Sequence, residues 1–434
     1  MPMFPFQFAS VLPVFWQRMN GEDQPFSVER YGDLLRSQPI TDETPGLILK
    51  DFHTVLDFLQ GQEVSVSGVH QLMQLKFLPD LNQRLSHPTD VQLKRPVQKS
   101  YPYIHGLYLV LRMLGIAQII PQGKTQILEV DETLLQTWNQ LNPTEQYFAL
   151  LEAWLMLADE AVIGEQGGGS LNQPLYKIAL FWAGTPDNTL KFPTYKDQNQ
   201  VQFIPGLHNL ALLDLFGLLS IQTGATEAGQ SWRIQQVQKL PLGDALIRLT
   251  VQTCKDSLTS WESASNQSSS SQIDFGILQP PLQPFFPQWQ TVWTLPGQGF
   301  QAGTYTFKVS LGKVWRRIAI PADLELDDLA IAILGSYEFD ADHLYEFSYK
   351  DRRGLECQIL HPVCEEPPFT SEVRVGDLSL LPGQAMTFRY DFGDNWKFKV
   401  ELETITPADS KLNHPTVLER HGKAPEQYRN DGEW

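Results

Sequence analysis

Two hydrophobic periods divide the chain. Up to about residue 250 the apolar positions recur at helical spacing; beyond residue 300 they alternate. Tyr147, Phe148, Leu151, Trp154, Leu155 and Ala158 fall on one helical face, with Glu152 and Asp159 directed away from it. Ahead of them Asn142-Pro143-Thr144-Glu145 has the form of a capping box with proline at the first helical position. Tyr103–Ile116 (YIHGLYLVLRMLGI) and Ile204–Leu218 (IPGLHNLALLDLFGL) read as apolar helices ending at Gly115 and Gly217, which suit a left-handed cap. Each is followed by a turn-rich stretch, a short strand (Thr125–Val130, Trp232–Val237) and another helix-forming run. This weak internal repeat has the outline of winged-helix units over about 100–165 and 200–256. One reading is a pair of nucleic-acid or partner-docking modules, the other two ordinary helix–hairpin units. The second fits better, because a DNA-reading helix exposes Arg, Lys or Asn. Here Arg112 is the only charge in the first helix and Asp214 in the second.

From residue 305 the period is two. Tyr305, Phe307, Val309 and Leu311 alternate with Thr306, Lys308 and Ser310, and Trp315–Ile320 reads as a second strand. Leu324–Leu334 predicts a helix with Leu326, Leu329, Ala330 and Ile333 inward. Tyr345, Phe347 and Tyr349, then Met386, Phe388 and Tyr390, then Phe398, Val400 and Leu402 mark further strand faces. The expected fold class is α+β. A mainly helical region (1–256) with winged-helix-like units precedes a Ser-rich linker (257–276) and an α+β domain (277–434), an antiparallel sheet with a packed helix. Ser257–Ser271 has too few apolar groups to offset the entropy of ordering itself. The aromatics of residues 277–293, by contrast, ask to be packed. Loops are expected at 164–169 and around 185–199.

Charge narrows the function. Lys plus Arg number 33 and Asp plus Glu 50, for a net −17, and neither half of the chain is basic. Phosphate binding draws on Lys and Arg, so non-specific nucleic-acid binding is disfavoured. Three cysteines in 434 residues make no disulfide framework, which fits a reducing cytoplasm. The N-terminal segment does not read as a signal peptide. With no apolar run of about 18 residues, no membrane span is expected.

The C-terminal segments YTFKVSLGKVWRRIAIP (305–321), DHLYEFSY (342–349), DLSLLPGQAMTFRYDFGDNWKFKVELE (377–403) and APEQYRNDGEW (424–434) resemble, in this order, the plasmid pRiA4b ORF-3-like family, also described as insertion-element passenger proteins. The most specific piece is Tyr390-Asp391-Phe392-Gly393-Asp394-Asn395-Trp396. The helical part is similar, more loosely, to the N-terminal extension of long members. The resemblance implies an α+β fold and an association with mobile elements, and no established activity. The chain keeps His343, Asp391, Gly393, Asp394, Trp396 and Glu426. It departs where members usually carry a histidine two residues after the tryptophan, here Phe398, and where the family's Pro-Glu-Asp-Cys-Gly-Gly ending reads Pro425-Glu426-Gln427-Tyr428-Arg429-Asn430.

Several constellations have a chemical and a plain reading. Asp391 and Asp394 bracket Phe392-Gly393 between two strands. Glycine supplying positive φ and aspartates bonding the local backbone make a hairpin turn. The same carboxylates with His343 and Glu426 would instead offer oxygen and nitrogen ligands to a divalent cation, for a metal-dependent phosphodiester hydrolase. Cys357, His361 and Cys364 (C-x₃-H-x₂-C) lack a fourth zinc ligand and sit in a loop-like stretch. Asp340, Asp342, His343 and Glu346 cluster before a strand, where His343 reads as a buried, hydrogen-bonded histidine. Arg316 and Arg317 read as pairing with nearby carboxylates. Gly164–Gly169 lacks the lysine of a phosphate loop, and no Ser–His–Asp spacing is found.

The sequence therefore favours a non-enzymatic regulatory or adaptor protein binding a protein, peptide or small ligand, without a cofactor. Candidate ligand-binding residues are His343, Asp391, Asp394, Trp396 and Glu426. The metal hydrolase and a sequence-specific DNA-binding protein are the alternatives.

Overall fold

The structure, a computed structural model, describes residues 28–123, 125–165, 172–185, 188–254, 275–295, 300–365 and 367–428. Apart from residues 275 and 276, the Ser-rich linker lies outside these residues, as do residues 166–169 of the glycine-rich loop. The described residues divide into two compact units: those up to 294 apart from 120–124, and those from 295 with 120–124. Among them no helix is long and apolar enough to cross a membrane.

The first unit runs α1 (Ile48–Gln60), β1 (Val64–Ser67), β2 (Leu72–Met73), α2 (Leu78–Arg84), α3 (Pro102–Met113), the start of β3 (Ala117–Gln122, of which 117–119 belong here), β4 (Thr125–Val130), α4 (Glu132–Gln140) and α5 (Pro143–Leu155). It continues with α6 (Pro174–Gly184), β5 (Thr189–Lys191), α7 (Tyr195–Gln198), α8 (Leu207–Leu215), β6 (Leu219–Thr223), β7 (Ile234–Lys239) and α9 (Pro241–Thr253). The repeat is thus fuller than its apolar helices suggest. In each copy a helix and a short strand come before the helix pair, and that strand joins the hairpin: β1 pairs with β4 and β5 with β7, both antiparallel. Each copy therefore begins well before residues 100 and 200. The stretch around 185–199, expected as a loop, supplies β5 and α7, elements too short for periodicity to register.

Local chemistry sets the boundaries. Asn142 caps α5 by accepting from the Thr144 and Glu145 amides, and Glu145 returns the bond to the Asn142 amide, the capping box read from the sequence. Gly115 and Gly217 adopt positive φ (66° and 69°) just after α3 and α8. α3 and α8 pack on one another: a Cβ on Gly106 would sit 2.7 Å from Leu212 Cγ and 3.0 Å from the His208 carbonyl oxygen. All twelve residues of α3 are buried. Arg112 is turned to the Tyr108 hydroxyl and Asp214 to His87, Tyr103 and the Ile221 amide. Neither charge faces outward, as it would on a groove-reading helix.

Residues 275–294 belong to this unit, so the boundary falls at 294/295 and not at 277. Trp289 stacks on Phe148 at 4.2 Å and Trp293 meets Trp138 edge-on. Glu152, expected to point away from the core, is 1% exposed and accepts the Gly276 and Leu278 amides. The docked aromatic segment covers the face that looked polar.

The second unit holds β8 (Thr304–Leu311), β9 (Val314–Pro321), α10 (Leu326–Tyr337), β10 (Tyr345–Lys350), β11 (Glu356–Leu360), β12 (Ala385–Tyr390), β13 (Trp396–Thr406) and β14 (Thr416–His421). They form a seven-stranded antiparallel sheet in the order β11-β10-β12-β13-β8-β9-β14. Leu326, Leu329, Ala330, Ile333 and Tyr337 of α10 bury against Phe307, Val309, Ile318, Phe388 and Phe398. The molecule is α+β, as expected. β11 places Cys357 in a strand, not a loop. Neither β11 nor β14 was read from the sequence.

Candidate functional site

The residues kept from the family pattern meet at one corner of the seven-stranded sheet. Tyr390 and Trp396 are partners in the β12–β13 ladder, and residues 391–395 make the turn between them. Positive φ falls on Asp391 (50°) and Asn395 (56°), and not on Gly393 as the turn reading assumed. Asp391 holds that geometry itself: its Oδ1 accepts the Gly393 amide at 2.9 Å and the Asp394 amide at 3.3 Å. Its Oδ2 lies 3.6 Å from His343 Nε2, and Asp342 Oδ1 lies 3.7 Å from the same nitrogen. His343 is 42% exposed, so it is not the buried histidine its sequence neighbours suggested.

Aromatic and amide groups complete the corner. The Tyr390 hydroxyl reaches the Asp340 carbonyl (2.5 Å) and the Asp342 carboxylate (3.1 Å). Burial, then the hydrogen bond to Asp342, raises the Tyr390 pKa, so it stays a donor. Gln427 accepts the Asp340 amide, and the Tyr428 hydroxyl points to Asp342. Trp396 is half-buried, edge-on to Phe339 at 5.0 Å, with its indole Nε1 buried and unbonded. Phe392, Leu344 and Tyr428 are exposed, and Arg389 lies 4.7 Å over the Phe392 ring.

Of the five candidate residues the structure joins His343 directly to Asp391. Asp394 reaches Asp391 only through its amide, and Trp396 flanks the turn in the ladder. Glu426 is exposed in an irregular stretch after β14. Among the described residues no group of three or more His, Cys, Asp or Glu is arranged to hold a metal ion. That applies to the quartet of His343, Asp391, Asp394 and Glu426 as well as to Cys357, His361 and Cys364. His361 accepts the Val363 amide and packs edge-on to Tyr345. Phe398, where the family carries histidine, is fully buried against Tyr337 and Phe388. The two arginines divide: Arg317 grips Glu403 with two nitrogens, whereas buried Arg316 donates to the backbone carbonyls of Ser336, His421 and Gly422.

A second polar constellation, absent from the sequence reading, lies inside the first unit. Glu160, with no exposed surface, accepts from Lys177 and from Asn209 (2.6 Å), and His208 Nε2 lies 3.2 Å away. Asn209 also accepts the Trp154 indole N–H at 2.8 Å. Beside them Glu165 meets Lys99 and His105, and the His105 and His208 rings are 5.7 Å apart. Burial pushes His105 down to about 4, against the upward pull of Glu165. Burial also acts to raise Glu160, but His208 and Lys177 outweigh it and hold the carboxyl below its ordinary value. The available signal was a histidine within each of two mostly apolar helices, His105 and His208.

Of the comparisons with known proteins, the family match falls in the second unit. No curated protein matches the chain. One similar solved structure is that of the protein of unknown function MM3350 from Methanosarcina mazei Go1. Its sequence identity is 30%, over 29% of this chain and 72% of that one, with a TM-score of 0.26. The family model described as plasmid pRiA4b ORF-3-like protein matches residues 304–428. That span runs from the first strand of the sheet to Tyr428 at the His343 corner, so the C-terminal domain is matched to the plasmid pRiA4b ORF-3-like family.

Proposed function

We propose that the chain is a non-enzymatic adaptor whose C-terminal corner receives a basic peptide segment of a protein partner. The observation that supports this is the side-chain mixture around His343. Carboxylates of Asp342 and Asp391 stand next to exposed Phe392, Leu344 and Tyr428. Cationic side chains gain from both partners, pairing with the carboxylates and lying over aromatic faces, as Arg389 already does on Phe392. The net −17 favours cationic partners over nucleic acid. Asp391 spends one oxygen on its own turn, which suits a rigid recognition surface better than a reacting group.

The tandem units of the N-terminal region are of winged-helix type in this reading, since both repeat helix, strand, helix pair and hairpin with the same strand pairing. With α3 and α8 buried against one another, these units serve as a docking body rather than as readers of DNA. The family's plasmid connection suggests that the partner belongs to a mobile element.

Fluorescence anisotropy with a labelled Lys/Arg-rich 12-residue peptide, and with the same peptide carrying Glu in place of each base, tests the proposal. The basic peptide binds the full chain, the acidic one does not, and His343→Ala/Asp391→Asn weakens binding by about tenfold or more. Equal binding of both peptides, or an unchanged double variant, defeats it.

A further inference from the structure

We infer that residues 275–294 form a releasable strap on α5, and that loss of a proton from Glu152 loosens it as pH rises to neutrality.

The strap is folded on itself. Gln279 and Gln283 each donate to the Trp289 carbonyl (3.0 and 3.2 Å), which ties its two halves together. It meets α5 along one helical face. The Asn142 side chain donates to the Gln288 carbonyl, and Glu145 accepts the Gln290 and Thr291 amides. Glu152, two turns further along the helix, accepts the Gly276 and Leu278 amides at 2.7 and 2.8 Å. Between the two glutamates Phe148 stacks on Trp289. These side chains of α5 therefore hold main-chain groups near both ends of the strap, as a bound peptide is held. A contact of this kind opens locally, without unfolding the helices beneath it. Release bares Phe148 and Trp138, which Trp289 and Trp293 now cover.

Glu152 makes the contact sensitive to protons. It is 1% exposed, each of its oxygens takes one strap amide, and it forms no ion pair with any described residue. Residues 275–294 carry no titratable side chain. Cys254, just after α9, faces Glu152, and its thiol is pushed up to about 12 by burial and then by that carboxylate, so it stays neutral. The charged groups of the helices packed on α5 are engaged elsewhere. Lys50, Asp51 and His53 of α1 meet Glu43, Ser86 and Asp42. His105 and Arg112 of α3 meet Glu165 and Tyr108, and Lys177 of α6 meets Glu160. A buried carboxylate without a counter-ion is disfavoured. Burial accordingly holds the proton on Glu152 up to about 7, against the pull of the two amides. With the strap released, the carboxyl meets water and loses that proton near its ordinary value of 4.5. Docking is therefore strongest below about 4.5 and weakens until about 7.

Hydrogen exchange on the full chain, with rates divided by the intrinsic rate at each pH, tests this. Amides of the strap should exchange well before those of α3. Their protection should fall about tenfold from pH 6 to 8, the ratio that a shift from 4.5 to about 7 gives over that interval. Glu152→Gln, which mimics the protonated carboxyl, should remove the fall. Strap protection equal to that of α3 would mean that the segment leaves only in global unfolding, and would overturn the inference. So would strap protection in the wild type that ignores pH, a result that does not depend on the variant folding. A tenfold fall that persists in Glu152→Gln would overturn it as well.

Discussion

The two units place their charges in opposite ways. In the first, Glu160, Lys177, His208 and Glu152 are buried and hold elements together that are distant in sequence. In the second, Arg316 and Glu346 are the buried charged residues among those described, and apolar and aromatic side chains fill the core. Buried Arg316 is spent there on backbone carbonyls, and the titratable groups collect at a rim where strands turn. The difference follows from architecture. A sheet satisfies its backbone internally and needs only an apolar face to dock one helix. Short helices and three-residue strands leave loop backbone and helix ends to be tied down, and buried side-chain bonds do that. Buried charge in the first unit is therefore structural, and rim charge in the second is left open to solvent, where the proposed peptide would meet it.

The largest expected effect breaks the buried set. Lys177→Ala leaves Glu160 fully buried beside an uncharged neighbour, and loss of one partner of a buried pair costs about 3–5 kcal/mol. Urea unfolding should show that loss, and the Glu160→Gln/Lys177→Met double variant should recover most of it. A single variant within about 1 kcal/mol of wild type would mean that the pair is not desolvated.

Glu152 gives the next effect, and its sign is distinctive. Burial raises its carboxyl to about 7, although the Gly276 and Leu278 amides pull the other way. The folded state therefore holds a proton that the unfolded chain releases near 4.5, and stability falls as pH rises from about 4.5 to 7. His105, depressed by burial to about 4, acts oppositely, with stability falling as pH drops from about 6.5 to 4. The wild type should be nearly flat between pH 4.5 and 6.5. The gap between Glu152→Gln and wild type should widen by about 3 kcal/mol from pH 4.5 to 7.5, in favour of the variant. A constant gap would show that Glu152 titrates normally.

The same contrast explains what the sequence could show. Alternation revealed β8, β9, β10, β12 and β13 because one face of each is apolar, and the capping box at Asn142 is wholly local. Edge strands β11 and β14 carry little alternation, since neither face is fully buried. Glu152 and Asp159 looked alike as polar positions behind an apolar stripe; only the docking of residues 275–294, from beyond the linker, buries Glu152. The meeting of His343 with Asp391 rests on the β10–β12 pairing of Tyr345 with Tyr390, and no spacing along the chain encodes that register. The resemblance supplied the residues of the corner, while their geometry needed the sheet.

At the rim, the smallest effect is the sharpest test of the comparison. In Asp391→Asn the side-chain oxygen still accepts the Gly393 and Asp394 amides, so the turn and its positive φ at residue 391 persist. What is lost is a charge 3.6 Å from a half-exposed histidine, a screened interaction worth well under 1 kcal/mol. Denaturant midpoints should barely move. A loss of several kcal/mol would put Asp391 among the structural carboxylates, like Glu160. It would also remove the physical ground for separating a load-carrying interior in one unit from a recognition rim in the other.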